Sequence, residues 1–352
     1  MNRFDYIRPA SLEEAIAAGS EPGASYLAGG TNLLDLMKVD VARPDKIVDI
    51  TRLPGLDRIE MQDDGTIRIG AMVRNADLAR HPAFAKACPA VAEALLSGAS
   101  PQLRNAATVG GNLMQQTRCA YFYDPHSACN RRQEGAGCDA RDGDTRNHAV
   151  LGWSDSCIAT HPSDFCVPLA ALDAMVEIEG PEGARETPLT SFYSLPDDTA
   201  PGGVDLAPGE MITALRLPRD AASFASHARY LKLRERTSYA FAIVSAAVML
   251  RMQEGVIAEA RIALGGVAAR PWRSVIAEAR LRAGAPDADL FASAAEAALQ
   301  GAQPSGANAF KIILASRLLI RALERAAEGT PARMPALPAS VFASDTGVSA
   351  HV

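Results

Sequence analysis

The sequence predicts an α+β protein of more than one packed unit, and three observations predict it. At 352 residues the chain exceeds a single average domain, so two units with sizeable cores are expected. Its 48% hydrophobic and 22% charged residues are close to the globular average, which excludes a mainly disordered or coiled-coil chain. Strand and helix patterns are interleaved along it without an internal repeat, and an apolar hairpin and a helical segment close it.

In order, Ser11-Leu12-Glu13-Glu14 has the spacing of a capping box and opens a short helix closed by Gly19. Ser25 to Ala28 reads as a strand that stops at Gly29-Gly30, and Thr31 is placed to cap a helix through Leu33, Leu34, Leu36 and Met37. Lys46 to Ile50 returns as a strand, completing a small α/β unit over residues 1–55. A second unit, 56–220, begins with the strand Ile67 to Ala71 and helices at about 74–80 and 89–97. It continues with strands at Ala174 to Ile178 and Met211 to Leu215. A third unit, 221–330, has apolar strands Ala240 to Met252 and Ile257 to Leu264 around the turn Gln253-Glu254-Gly255. Phe310, Ile313, Leu314, Leu318, Ile320 and Leu323 then follow near-helical spacing, and 331–352 reads as a loose tail.

The formal charge of −6 and the absence of a Lys/Arg block argue against nucleic acid as a partner. No apolar h-region follows Met1, and no uncharged stretch reaches the length of a membrane span. The chain is therefore expected to carry no export signal of its own and no transmembrane helix.

Two glycine turns carry the binding chemistry. In Leu27-Ala28-Gly29-Gly30-Thr31-Asn32-Leu33, adjacent glycines let backbone approach a ligand, at the start of a helix whose free N–H groups suit phosphate. The same pattern is also that of a plain tight turn, and it is neither the Gly-x-Gly-x-x-Gly of a dinucleotide fold nor a Walker loop. Ala107-Thr108-Val109-Gly110-Gly111-Asn112-Leu113 echoes it, and two such turns can bracket a pyrophosphate.

Between residues 115 and 160 lies an insertion rich in Gly, Asp, Arg, Asn and His, with little apolar periodicity. Cys119, Cys129, Cys138 and Cys157, separated by nine, eight and eighteen residues, fall within it. Such a segment cannot build its own core, and metal ligation would supply the missing folding free energy. Spacing leaves open a [4Fe–4S] cluster, zinc without its usual Cys-x-x-Cys pairs, disulfides, or no metal. Histidine ligation by His126, His148 or His161 also stays open, beside the commoner hydrogen-bonding role. Cys88 and Cys166 are expected as buried thiols.

With these motifs, and from Phe4-Asp5-Tyr6-Ile7-Arg8-Pro9 to Leu264-Gly265-Gly266-Val267-Ala268-Ala269-Arg270-Pro271, the chain resembles the FAD-binding subunits of the xanthine dehydrogenase and molybdenum hydroxylase family. The resemblance implies a two-subdomain FAD-binding fold of the vanillyl-alcohol-oxidase (PCMH) type plus a C-terminal α+β domain of antiparallel sheet and helices. It also implies that Tyr26, Leu27, Ala28, Gly29, Gly30, Thr31, Asn32, Leu33 and Leu34 hold the pyrophosphate of FAD, with Thr108, Gly111 and Asn112 opposite. Asp164 in His161-Pro162-Ser163-Asp164 and Lys232 in Tyr230-Leu231-Lys232 match residues near the flavin ring, and Ile212 matches an apolar contact. Without the resemblance, Asp164 reads equally well as the cap of a helix beginning at Phe165, and Lys232 as a solvated strand residue.

A subset of the family carries a four-cysteine insertion that binds a [4Fe–4S] cluster. Arg118 to Asp124, Cys129 to Arg132 and Ser156 to Pro162 are similar to its aldehyde oxidoreductase members, implying Cys119, Cys129, Cys138 and Cys157 as ligands. Such a subunit would pass electrons from partner iron–sulfur centres through FAD to an external acceptor. Its partners would be a large molybdenum-cofactor (molybdopterin) subunit and a small [2Fe–2S] subunit, and no catalytic acid, base or nucleophile is expected in this chain. The compartment would follow the partner, either the periplasm by co-export or the cytoplasm. Competing readings are a hydroxybenzoyl-CoA-reductase-like subunit, a stand-alone flavin oxidase and a zinc-stabilised scaffold.

Overall fold

The structure is a computed structural model and describes residues 1–197 and 200–332. From residue 333 onward the expected tail lies outside the described residues. Strands Asp5–Ile7, Lys46–Asp49 and Ala24–Leu27 form a small parallel sheet with Lys46–Asp49 in the middle. Helix Leu12–Gly19 joins Asp5–Ile7 to Ala24–Leu27, and helix Leu33–Lys38 is the crossover that the parallel pairing of Ala24–Leu27 with Lys46–Asp49 needs. The start of Leu12–Gly19 is fixed twice: Ser11 Oγ accepts from Glu14 N–H, while the Glu14 carboxylate accepts from Ala10 N–H, one residue earlier than in the usual box. Ala15 and Ala18 bury against Val48, Ile50, Leu53 and Leu56.

The second unit is a five-stranded antiparallel sheet in the order Ile59–Met61, Ile67–Gly70, Met211–Leu217, Met175–Gly180, Gly183–Pro188. Its apolar face packs on the helices Asn75–Arg80, Pro82–Ala87, Pro89–Ser97 and Cys166–Ala171. Proline opens Pro82–Ala87, Pro89–Ser97 and Pro101–Ala106, where its missing N–H has no helical partner to lose. Strand Gly183–Pro188 lacks an apolar signature because four of its six residues are exposed.

The third unit is an antiparallel sheet ordered Trp272–Arg273, Val256–Gly265, Val244–Gln253, Ala228–Leu233. Gln253 pairs with Val256, so the turn has two residues, Glu254 and Gly255, both at positive φ (50° and 82°), the conformation that favours a hairpin. One face, with Ala246, Val248, Leu250 and Ile262, packs on helices Val275–Leu281, Ala288–Ala298 and Phe310–Ala327. The other, with Ala228, Tyr230, Ala247, Met249 and Ala263, belongs to the core of the second unit. Burial on both faces explains the unbroken apolar run of Val244–Gln253. The strand expected from Ala240 starts only at Val244, because residues 240–243 form a loop instead.

The insertion contains one short α-helix, Ala120–Tyr123, and a 3-10 turn, Asp139–Asp142, and is fixed by polar contacts from within and from its surroundings. Arg132 donates to the carbonyls of Tyr121, Phe122 and Ser127. From the C-terminal helix, buried Lys311 donates to the carbonyls of Asn147 (3.2 Å), His148 (2.8 Å) and Gly266 (2.6 Å). Asn308 adds bonds to the carbonyls of His148 and Ala149. Among the described residues no helix is long and apolar enough to cross a membrane.

Lys311→Met should cost about 2 kcal/mol or more, since the buried carbonyls of His148 and Gly266 lose a donor, read by denaturant titration. Burial lowers the Lys311 ammonium from 10.5 to about 7. The unfolded chain then binds more protons than the folded chain between these values, so stability from this group rises with pH. Wild-type stability relative to the variant should therefore increase from pH 7 toward pH 10, and a flat difference would contradict this account.

Candidate functional site

The two glycine turns lie side by side. A Cβ on Gly29 would stand 2.0 Å from the carbonyl oxygen of Ala106, so only glycine lets the first turn press against the approach to the second. Gly30 has φ +71°, and Leu34 folds over it. Thr31 is not the cap of helix Leu33–Lys38; the N-cap is Asn32, whose Oδ1 instead accepts from Gln116 N–H at 3.0 Å, tying the first turn to the exit of the second. Thr108 Oγ accepts from Gly111 N–H at the start of the one-turn helix Val109–Leu113.

Thr31, Gly111, Asn112, Asp164 and Lys232 line one open cleft of about 600 Å3 where the three units meet. The remaining matched residues stand behind it. Tyr26 and Ala28 pack on the first core, and the Tyr26 hydroxyl donates to Gly209. Leu27 ends its strand, Leu33 and Leu34 begin the next helix, and Thr108 is buried behind its own turn. The structure does not bring Ile212 to the cleft; its side chain belongs to the core of the second unit.

Asp164 and Lys232 are paired rather than capping or solvated. Lys232 Nζ donates to Asp164 Oδ2 at 2.8 Å and to the Ser97 carbonyl at 3.1 Å. Their side chains are only 3% and 8% exposed. Tyr230, two residues earlier on the same strand face, donates its hydroxyl to Asp164 Oδ1 at 2.5 Å. Burial raises the Tyr230 phenol well above its usual range, so it stays a donor. Helix Cys166–Ala171 takes its side-chain bond from Ser163, whose Oγ accepts from Cys166 N–H. The Ser163 hydroxyl in turn donates to Asn112 Oδ1 at 2.7 Å, joining this segment to the second glycine turn.

Among the described residues, six buried side-chain polar atoms lack a partner. Those on Asn75, Arg118, His148, His161 and Ser245 all belong to residues lining the cleft. Buried polar groups are nearly always satisfied, so this clustering marks where a polar ligand belongs. Burial, with the charge of Arg131, pulls His161 down to about 3, leaving a neutral ring. Its Nδ1 accepts from Ser163 N–H, which places the proton on the unpartnered Nε2. Polar donors and glycine backbone around one open cleft fit FAD. Tyr230, Arg118 and Arg104, a buried cleft-lining residue that donates to the carbonyls of Gly98 and Ala99, are not singled out by the sequence, although period-two spacing from Lys232 was available for Tyr230.

Across the cleft mouth, the Arg118 guanidinium lies 4.9 Å from the Phe241 ring centroid and 5.6 Å from that of Tyr123. Beyond it, Cys119, Cys129, Cys138 and Cys157 line a small second void. Cys129 and Cys138 face each other across an isolated bridge, and Cys157 comes from the Ser154 turn. All six cysteines are free in the structure. Burial raises the thiols of Cys119 (to about 11), Cys138 and Cys157, and the neighbouring sulfurs add to the rise. Among the described residues, no three His, Cys, Asp or Glu side chains are gathered on one point as a single ion requires. Cys88 and Cys166 are buried apart from this group.

Residues 2–220 match the FAD binding domain in molybdopterin dehydrogenase, and residues 229–326 the CO dehydrogenase flavoprotein C-terminal domain. The chain is similar to the aldehyde oxidoreductase FAD-binding subunit PaoB of Escherichia coli, at 47% identity over 93% of this chain and 99% of that one. It is also similar to the carbon monoxide dehydrogenase medium chain of Hydrogenophaga pseudoflava, at 28% identity over 92% and 97%. Among solved structures, quinoline 2-oxidoreductase from Pseudomonas putida 86 superposes with a TM-score of 0.71 at 27% identity, covering 93% and 98%.

Removing the carboxylate alone, as in Asp164→Leu, strands a buried ammonium and should cost about 3–5 kcal/mol. In Asp164→Leu/Lys232→Met much of that cost should return. A double-mutant cycle by denaturant titration giving no coupling would refute the pairing.

Proposed function

The chain belongs to the FAD-binding subunits of the xanthine dehydrogenase and CO dehydrogenase family, and on that premise we propose that it serves a molybdenum-containing aldehyde oxidoreductase. It would pass electrons from partner iron–sulfur centres to an external acceptor. The observation that carries this reading is the cleft lined by Thr31 of the first glycine turn, Gly111 and Asn112 of the second, the Asp164–Lys232 pair and the residues with unpartnered polar atoms. The 47% identity to an aldehyde oxidoreductase subunit supports the substrate class. When bound, FAD joins one-electron carriers to a two-electron acceptor, and the protein contributes position and electrostatics.

In this reading, backbone from Tyr26 to Leu34 and from Thr108 to Asn112 flanks the pyrophosphate. His161 Nε2–H and the Asp164–Lys232–Tyr230 group would face the flavin from the far wall. Aldehyde oxidation would fall to a large molybdopterin subunit and electron relay to a small [2Fe–2S] subunit. The chain's compartment would be that of these partners.

We further propose that Cys119, Cys129, Cys138 and Cys157 hold a [4Fe–4S] cluster. Four free thiols around one void supply the donor set such a cluster takes. Their failure to converge on a point disfavours a single zinc ion, whose tetrahedral shell is tight.

The purified chain should show flavin absorption, and no flavin after reconstitution would end the central reading. Cys129→Ser should lose iron and sulfide while keeping flavin. The assembled complex should oxidise aldehydes, whereas the chain alone should not; preference for reducing aromatic thioesters would favour the benzoyl-CoA-reductase-like alternative.

A further inference from the structure

The cleft and the cysteine void share a wall: Thr117, Cys119 and Tyr121 line both. His148 stands on the cleft side of it, 6% exposed, with Nε2 at 3.2 Å from Cys119 Sγ. Its backbone is fixed at both ends, the N–H donating to Thr145 O and the carbonyl accepting from Lys311 Nζ and Asn308 Nδ2. A thiolate bound to iron carries no proton and can only accept. The proton between the two atoms then belongs to Nε2, and Nδ1, buried without a partner, is left as an acceptor.

We infer that His148 is a tuning residue for the iron–sulfur group held through Cys119, acting by an Nε2–H···Sγ hydrogen bond and not as an iron ligand. The inference rests on the [4Fe–4S] reading above. Hydrogen bonds to cluster sulfurs are among the levers that set reduction potential. Reduction adds negative charge, and a donor aimed at the sulfur stabilises the more negative state, so the bond raises the potential. Lys311 and Asn308 act behind it: by holding the His148 carbonyl, the C-terminal helix and the turn before it keep the ring at its distance from the sulfur.

The test is an EPR-monitored redox titration of the full chain, with iron and sulfide counted in each sample. His148→Leu should shift the cluster's midpoint potential downward at unchanged iron content and unchanged flavin potential. His148→Gln, which keeps an N–H donor, should stay nearer the wild type. No shift in His148→Leu, or equal shifts in both variants, would overturn the inference. If His148→Leu fails to retain iron, pulsed EPR on wild-type chain labelled with 15N-histidine decides instead. A weak coupling to one histidine nitrogen is expected; none, or the strong coupling of a ligand, would overturn it. Wild-type chain without iron and sulfide would instead strike down the cluster reading itself, and this inference with it.

Discussion

Everything at the cleft depends on one buried contact, the carboxylate of Asp164 held between the Tyr230 hydroxyl and the Lys232 ammonium. The two donors come from alternate positions of a strand in the third unit, and the acceptor from a loop in the second. A buried charge without its partner is costly, so the contact fixes how the third unit sits on the second. Ser163, one residue before Asp164, carries the same constraint to Asn112, and Asn32 carries it on to the first turn through Gln116. The cleft is thus lined by groups from all three units, joined by hydrogen bonds and the short backbone segments between them.

Much of this was legible in the sequence because each glycine turn needs its own backbone. Gly29 has no room for a Cβ, and that requirement leaves a local mark. Helix Leu12–Gly19 and the hairpin at Glu254-Gly255 were legible for the same reason, since capping and positive φ are short-range demands. Thr31 was misread as a cap because what engages Asn32 lies far along the chain, at Gln116. Ile212 shows a different limit: its apolar character fits both a flavin contact and a core strand, and its side chain packs in the core of the second unit. Strand Gly183–Pro188 and the helix Pro101–Ala106 have too little apolar periodicity to be read without their neighbours.

The insertion is the segment in which local pattern says least and tertiary contact most. It has almost no regular structure, yet Arg132 gathers three of its carbonyls and Lys311 two more. Both cations donate to backbone oxygens, a use that leaves no trace in the spacing of residues. The four cysteines could be picked out by their clustering, but their arrangement around a void depends on this polar framework.

The C-terminal sheet is buried on both faces, one of them by residues of the preceding unit. That sharing sets an order for biogenesis. While the chain is being synthesised, the helices over Ile67, Val176 and Leu215 lack Tyr230, Met249 and Ala263 against them until the last strands emerge. A nascent chain stalled before residue 228 would present an unfinished apolar surface, the kind of surface that chaperones hold. The cleft, built from both sides of that seam, is among the last features of the molecule to form.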